Sequence, residues 1–386
     1  MKKIVFVTII SFISVLTLIF LEITVRNIKP QLTFSQAYFY SINCFSPGSI
    51  LPVTLRKDQK CQMRNMYGDF DTFATLNQNG YRGKEFNTTK ENGTIRILVL
   101  GDSITFGQGV SDDKTYPYFL EGLLSEKEKK VEVINAAYAD GFSPDSYYVY
   151  LKNIGLQLDP DIVILGLFPW NDITDLSETV WEEIDEKGLP MKISSCCRMV
   201  TNGVMHNKSL ETKYRFPVLK ESHLFILLMN TLMHQFKIIK DPYQMIPRGF
   251  SNNDCVMSSE CINFFEPEEK KVQKVLTAMK SLTDEKNVIF IITLLPVDVQ
   301  LYPGSGVKYP SVKYVDRSDP AFIHKRLEKF FQENGIAYLD LYPVFDRERS
   351  KGYPFFRNDA HYNEIGNQIT AQAISAHLLE NEIIRP

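Results

Sequence analysis

Five short apolar runs, separated by segments with helical character, constrain the fold of this chain more than any other feature of its sequence. The first, Ile95–Leu100, is typical of a strand buried on both faces of a sheet. The other four are Val131–Asn135, Asp161–Leu167, Val288–Leu294 and Ala337–Asp340. Helical segments lie near residues 116–124, 144–155, 268–282, 320–333 and 364–379. This alternation predicts a three-layer α/β/α fold, in which helices cover both faces of a five-stranded parallel sheet.

The spacing of these runs also divides the chain. We expect an N-terminal membrane helix at residues 1–25, a loop-rich lead-in at 26–90 and the α/β domain at 91–386. A long insertion after the third strand, at about 173–285, is expected to form a lid or a substrate wall. Within it, Leu224–Met229 is apolar but too short to span a membrane. A packed helix is the favoured interpretation of that stretch, and an interfacial helix is the alternative.

The N-terminus carries an uncharged, mostly apolar run of eighteen residues, Ile4–Leu21, after Lys2 and Lys3. This length reaches the roughly 17–25 residues that a bilayer-spanning helix needs. A cleaved signal peptide would have a shorter apolar region, followed by small residues at the cleavage site, and no such site follows Leu21. The sequence therefore favours an uncleaved signal anchor, single-pass in the cell membrane, with the folded domain on the extracytoplasmic side.

Six cysteines fit an extracytoplasmic location, because disulfides persist outside the cytosol. Two pairs would close short local loops, and two adjacent cysteines would bond each other or partners elsewhere: Cys44 with Cys61, Cys255 with Cys261, and Cys196 beside Cys197. A zinc site is the weaker alternative, since no C-x-x-C pair or histidine cluster is present. The net charge of -3 gives no indication of nucleic-acid binding.

A turn of small residues, Gly101-Asp102-Ser103, directly follows the first strand. Ligands of parallel sheets bind beyond the carboxyl ends of the strands, so Ser103 occupies a position suited to a nucleophile. Taken alone, this serine is more simply a helix N-cap. The spacing excludes a G-x-S-x-G elbow, because Thr105 stands two residues further on, and no Walker phosphate loop is present.

Three other predicted loops at the same sheet edge supply what a serine nucleophile needs. His361 precedes the last helix and could act as the base, and Asp359 could orient it from two residues away. Gly141, after the second strand, could offer a backbone N–H, and Asn171, after the third, a side-chain amide. Alone, Gly141 would be a turn glycine and Asn171 a helix cap.

The ordered set of Ser, Gly, Asn and His resembles the SGNH (GDSL) hydrolase superfamily, in its membrane-anchored bacterial form. The resemblance extends from about residue 77 to the C-terminus, and the lead-in sequence Asn79–Gly83 is part of it. It implies a flavodoxin-like fold and a catalytic triad of Ser103, His361 and Asp359. It also implies an oxyanion hole made by the Ser103 and Gly141 N–H groups and the Asn171 amide, with no metal or organic cofactor.

Two positions depart from the usual pattern. Many members carry the acid three residues before the histidine, where this chain has Asn358, whereas Asp359 lies two before it. Trp170 stands where a glycine usually precedes the asparagine, and it would either narrow the pocket or pack on the sheet.

The expected activity is hydrolysis of an acyl ester, most simply an O-acetyl ester, on a cell-surface glycan or a lipid, through an acyl-serine intermediate. Two alternatives remain open. The same site could transfer an acetyl group to a surface polysaccharide, or the domain could bind glycans without catalysis.

Overall fold

The computed structural model describes residues 2–31, 33–35, 41–65, 68–125, 130–138, 142–208, 212–235, 252–302 and 319–384. The chain forms two compact units, one made of residues 1–40 with 207–244 and the other of residues 41–206 with 245–386. The described α-helices are α1 Lys2–Ile28, α2 Ser103–Phe106, α3 Tyr116–Ser125, α4 Pro144–Asn153, α5 Pro169–Asp175, α6 His223–Gln235, α7 Asn252–Val256, α8 Glu266–Glu285, α9 Asp298–Leu301, α10 Phe322–Glu333, α11 Tyr342–Arg347 and α12 Glu364–Glu380.

The described strands belong to one five-stranded sheet, one three-stranded sheet or three two-stranded sheets. They are β1 Ser41–Ile42, β2 Phe45–Pro47, β3 Val53–Leu55, β4 Gln59–Arg64, β5 Asp71–Leu76, β6 Ile95–Gly101, β7 Val131–Asn135, β8 Ile162–Leu167, β9 Thr179–Ile184, β10 Pro190–Ser195, β11 Arg198–Thr201, β12 Val204–Asn207, β13 Ile289–Leu294 and β14 Ala337–Asp340.

The large sheet has five parallel strands in the order β14-β13-β8-β6-β7. Counted along the chain from β6, this is the 2-1-3-4-5 order of flavodoxin-like folds. Helices α3 and α12 cover one face, where Val99, Leu120 and Ile374 share a buried apolar cluster. Helices α4 and α8 pack on the other face. The predicted three-layer fold and its five strands are therefore confirmed.

The lead-in is more ordered than the sequence indicated. Strands β1, β4 and β5 form an antiparallel sheet, and β2 pairs with β3. Backbone bridges from Arg82 to Leu76 and to Asn135 join this region to β7. Helix α8, which lies inside the predicted insertion range, packs on β13. The boundaries at residues 25 and 90 stay predictions.

The six cysteines form three disulfides within the described residues. The Cys44–Cys61 disulfide closes a short loop in the lead-in, and Cys255–Cys261 closes a second short loop. The third disulfide joins the neighbouring residues Cys196 and Cys197. The pairs that the sequence suggested are therefore present. Helix α1 in the smaller unit is long and apolar enough to cross a membrane, which fits an anchor or a signal sequence.

Candidate active site

Ser103 stands at the carboxyl end of β6 as the first residue of α2. Asp102 caps this short helix, with its Oδ1 accepting the Ile104 N–H at 2.9 Å. Glycine is required on the two neighbouring strands, because a Cβ on Gly101 or Gly166 would lie 2.2 or 2.3 Å from the Thr105 Oγ1. The turn can therefore bury Thr105 between the strands while Ser103 keeps part of its surface exposed.

Arg82 holds the far end of α2 and the loop behind it. Its side chain is buried, and its guanidinium donates to the carbonyls of Phe106, Gly107 and Val110 at 2.6–2.7 Å. Its Nε pairs with Asp112 at 2.9 Å. A helix end leaves its last carbonyls without partners, and Arg82 satisfies several of them at once. The Asn79–Gly83 stretch noted in the sequence thus supports the segment that carries Ser103.

The structure brings Ser103, His361 and Asp359 together. The His361 Nε2 lies 2.8 Å from the Ser103 Oγ, and the Nδ1 of the same ring is hydrogen-bonded to the Asp359 Oδ1. The backbone N–H of His361 also donates to Asp359 at 3.0 Å, so the acid is fixed by the loop that it serves. This is the arrangement in which a serine, its base and an orienting acid can share protons. The catalytic roles of these residues stay a prediction.

The loop that carries His361 is held at both ends. The Phe356 N–H donates to the His361 carbonyl at 3.0 Å. Asn363 caps α12 through the Ile365 N–H, and its amide donates to the Phe355 carbonyl at 2.8 Å. These bonds fix the position of the loop that carries the imidazole at the edge of the sheet.

Two lead-in residues that the sequence did not point to support the acid. The Asn65 amide donates to Asp359 Oδ2 at 3.4 Å, and its Oδ1 accepts the Asp69 N–H at 2.9 Å. Asp69 in turn accepts both the backbone N–H and the amide of Asn358, at 2.9 and 3.1 Å. Asn358, the position where many related chains carry the acid, is therefore a structural link to the lead-in. No sequence signal joins segments almost 300 positions apart.

We expect Asn65→Ala to lower kcat about 10-fold and to change KM little. The variant removes the donor to the outer oxygen of Asp359, and a hydrogen bond to a charged group is worth about 1.5–3 kcal/mol at good geometry and less at this length. Steady-state kinetics on a chromogenic acyl ester would measure both constants. Asn92→Ala, at an exposed site in the same unit, is the control. An unchanged kcat would show that Asn65 has no part in positioning the acid.

Asn171 lies in the first turn of α5, directly after β8. Its Nδ2 donates to Asp175 at 3.1 Å, and its amide also interacts with Asp102, the residue before Ser103. The Asn171 Oδ1 is buried without a hydrogen-bond partner among the described residues. The amide therefore lies beside the turn that carries Ser103, and its predicted role in an oxyanion hole stays a prediction. Gly141, the other predicted oxyanion residue, lies outside the described residues.

Asp102 and Asp172 form a buried acidic pair behind the site. Burial raises the pKa of Asp102 to about 6, and His361 opposes that shift. Burial and the neighbouring Asp102 raise the pKa of Asp172 well above its usual range. Asp172 also accepts the N–H of Phe168, the residue before α5, at 2.7 Å and the Tyr147 hydroxyl at 2.8 Å. Two carboxyls in one dry region favour holding a proton between them.

We expect the free energy of unfolding to fall less between pH 4 and pH 7 in Asp102→Asn than in the wild type. The folded pKa of Asp102 lies above the unfolded value, so the fold binds this proton more tightly and loses stability as the pH rises through about 6. At 1.36 kcal/mol per pKa unit, the difference amounts to up to about 3 kcal/mol. Thermal unfolding in detergent across this range would measure it, with Asp346→Asn as the exposed control. Parallel pH curves for wild type and Asp102→Asn would contradict the prediction.

Trp170 packs by its edge on the Phe168 ring, with 5.9 Å between the centroids. A small pocket of about 20 Å³ lies near this helix, and Asp175, Glu178, Arg198 and Met199 contribute to its walls. Asp175 also accepts the Asn171 amide, so this pocket lies next to Asn171. The loop of the Cys196–Cys197 disulfide joins β10 to β11, which carry Ser195 and Arg198 on that wall.

The described residues contain no group of three or more His, Cys, Asp and Glu side chains arranged to hold a metal ion. The fold and this edge of the sheet define an α/β protein with a serine, a histidine and an aspartate in hydrogen-bonded series.

Residues 263–385 match the family model described as "SGNH hydrolase-like domain, acetyltransferase AlgX". Over this part of its length, the chain is similar to SGNH hydrolase-like domains.

Among curated proteins, none matches this chain. Solved structures with a similar fold include a putative acylhydrolase from Bacteroides fragilis, at 12% identity and a TM-score of 0.38, covering 78% of this chain and 93% of that one. An acetyl xylan esterase has 15% identity and a TM-score of 0.39, covering 74% and 100%. A lipase/acylhydrolase from Enterococcus faecalis has 12% and 0.39, covering 74% and 95%. The activities in these names belong to those proteins.

Proposed function

We propose that this chain is a serine esterase that cleaves acyl esters through an acyl-serine intermediate. The observation that carries the proposal is the 2.8 Å contact between the His361 Nε2 and the Ser103 Oγ, made while Asp359 holds the other ring nitrogen. A serine hydroxyl becomes an effective nucleophile when such a base stands beside it.

In the proposed reaction, the Ser103 Oγ attacks the ester carbonyl carbon as its proton passes to the His361 Nε2. The tetrahedral oxyanion is stabilised by the Ser103 and Gly141 N–H groups and by the Asn171 amide. The bond to the alcohol oxygen then breaks, and His361 returns the proton to that oxygen. Water, activated by the same histidine, releases the acid and restores Ser103. Each oxyanion donor in such a site contributes about 10²–10³-fold to the rate.

The substrate class that we propose is an acyl ester, most simply an O-acetyl ester, on a cell-surface glycan or a lipid. The location that we propose for the protein supports this choice. We propose that α1 is an uncleaved, single-pass anchor and that the α/β unit lies on the extracytoplasmic side of the cell membrane. The three disulfides are consistent with an oxidising compartment.

A second candidate is O-acetyl transfer to a surface polysaccharide, and the description of the family model that matches residues 263–385 favours it. The first half of the reaction is the same. A sugar hydroxyl then attacks the acyl-serine in place of water. The two candidates differ only in which acceptor reaches the acyl carbon.

The two can be separated with the full chain in detergent, supplied with a chromogenic acetyl ester and a set of oligosaccharides. Free acetate would be measured by a coupled assay and acetylated sugar by mass spectrometry. Acetate alone, in equal amounts with and without sugar, supports the esterase. Acetylated sugar at the expense of acetate supports the transferase. Neither product above the level of Ser103→Ala would contradict both.

A further inference from the structure

Helix α6, in the smaller unit, is attached to α1 through a partly buried network of hydrogen bonds around Glu22. The Glu22 carboxylate accepts the N–H groups of His223 and Leu224, both at 2.9 Å, and the Ser222 hydroxyl at 2.7 Å. The first N–H groups of a helix have no partner inside the helix, so Glu22 supplies the cap for α6. The position of α6 is therefore fixed to one level of α1.

Further contacts hold α6 at that level. The Gln31 N–H donates to the His223 Nδ1 at 2.9 Å, and the Asn230 amide donates to the Gln31 side chain at 3.3 Å. Ile226 and Tyr214 are buried together, with Phe34 packed against them. One side of α6 is thus covered by its own unit.

The opposite side of α6 is apolar and exposed. Leu228 is 53% exposed and Leu232 is 46% exposed, and Val218, in the preceding turn, is 88% exposed. The thirteen residues of α6 include no Asp, Glu, Lys or Arg. Thr231 lies on the same side, and its hydroxyl donates to the Leu227 carbonyl at 2.8 Å. This face therefore offers few polar groups to water.

The same hydroxyl arrangement occurs along α1. Thr8, Thr17 and Thr24 each donate to the carbonyl four residues earlier, at 2.8–2.9 Å. Internal satisfaction of hydroxyls is what a helix surrounded by hydrocarbon needs, because no water is available there. The Thr231 hydroxyl makes the same kind of bond, so it adds no unpaired hydroxyl to the exposed face of α6.

The position of Glu22 along α1 indicates at which level of the bilayer α6 begins. Lys3 and Glu22 are nineteen residues apart in one helix, which at about 1.5 Å per residue corresponds to about 28 Å. The hydrocarbon core of a bilayer is about 30 Å thick. With Lys3 at one boundary, Glu22 lies at the other, and α6 starts there.

The charges near that boundary are mainly positive. Among the described residues 22–35, 207–208 and 212–235, six basic side chains stand against two acidic ones, Glu22 and Glu221. The basic residues are Arg26, Lys29, Lys208, Lys213, Arg215 and Lys220. Basic residues close to a membrane surface are attracted to anionic lipid headgroups, each by about 1 kcal/mol.

We propose that α6 and the turn that contains Val218 lie in the outer interface of an anionic bilayer, with Leu228, Leu232 and Val218 inserted among the lipid chains. The proposal rests on the membrane anchor put forward above and extends it from one helix to a two-helix membrane unit. It replaces the interpretation of Leu224–Met229 as a helix packed only against protein. It also gives α1 a role that a cleaved leader could not fill, because Glu22 caps α6.

Spin labels on the full chain would test this insertion. Single cysteines would replace Leu16, Val218, Leu228 and, as an exposed polar reference in the other unit, Asn92. The labelled chains would be placed in vesicles of phosphatidylethanolamine and phosphatidylglycerol, and collisions with oxygen and with a water-soluble nickel chelate would be compared. We expect the oxygen-to-nickel ratio at positions 218 and 228 to exceed that at position 92 severalfold and to fall below that at position 16.

The outcomes separate the anchor from the further proposal. A low ratio at position 16 contradicts the anchor itself. A high ratio at 16, with 218 and 228 equal to 92, overturns the proposal for α6 alone. Low collision with both reagents at 228 would mean that protein, such as a second copy, covers the face, and this also overturns it. Glu22→Leu should reduce the ratio at 228, whereas Glu22→Gln keeps an acceptor oxygen and should preserve it.

Discussion

Replacing Ser103 by alanine is expected to lower kcat for acyl ester hydrolysis about 10⁴- to 10⁶-fold, the range found when a triad member is removed from serine hydrolases. The variant removes the Ser103 Oγ, which lies 2.8 Å from the His361 Nε2 and attacks the substrate in the proposed reaction. Labelling by a fluorophosphonate probe should disappear with the activity, because the probe reacts with an activated serine oxygen. Initial rates and probe labelling together measure the effect.

Ser281→Ala is the matched control, since Ser281 is an exposed residue of α8 whose hydroxyl donates to the Thr277 carbonyl. This control should keep both activity and labelling. A wild-type chain that is never labelled would favour a non-catalytic, glycan-binding domain. Labelling that persists in Ser103→Ala would assign the nucleophile to another residue.

The large sheet could be predicted because its strands are buried on both faces. Ile162–Leu167 is buried at every position, so the sequence shows an unbroken apolar run there. The predicted strands agree with the observed ones to within one residue at each end. The position of Ser103 could be predicted from the same pattern, because it follows the first of these strands and so lies at the carboxyl edge of the sheet.

The lead-in strands could not be predicted in the same way. Asp71–Leu76 alternates between exposed and buried residues over only six positions, and Gln59–Arg64 is largely polar. Their partners are each other rather than the central sheet, so no long apolar run identifies them. The interpretation of residues 26–90 as loop-rich followed from this weak pattern.

The candidate site was predictable where one rule covers it. Ser103 and Asn171 each come soon after a strand of one parallel sheet, and such positions meet at one edge. His361 lies further on, in the loop between α11 and α12. The links that hold the acid obey no such rule. Asn65 reaches Asp359, and Asp69 reaches Asn358, across a chain separation that periodicity cannot describe. Only the folded structure shows why an asparagine stands at position 358.

Asp359→Asn is expected to lower kcat about 10⁴-fold and to change KM little, because the effect is on the proton and not on substrate binding. An asparagine amide facing the His361 Nδ1 favours the tautomer with its proton on Nε2, which then cannot accept the Ser103 proton. Rates on the chromogenic ester measure the loss, and Asp346→Asn, an exposed carboxylate in α11, is the control. If Asp359→Asn retained more than about a tenth of the wild-type kcat, Asp359 would not be the residue that orients His361, and the acid would have to come from elsewhere around the imidazole.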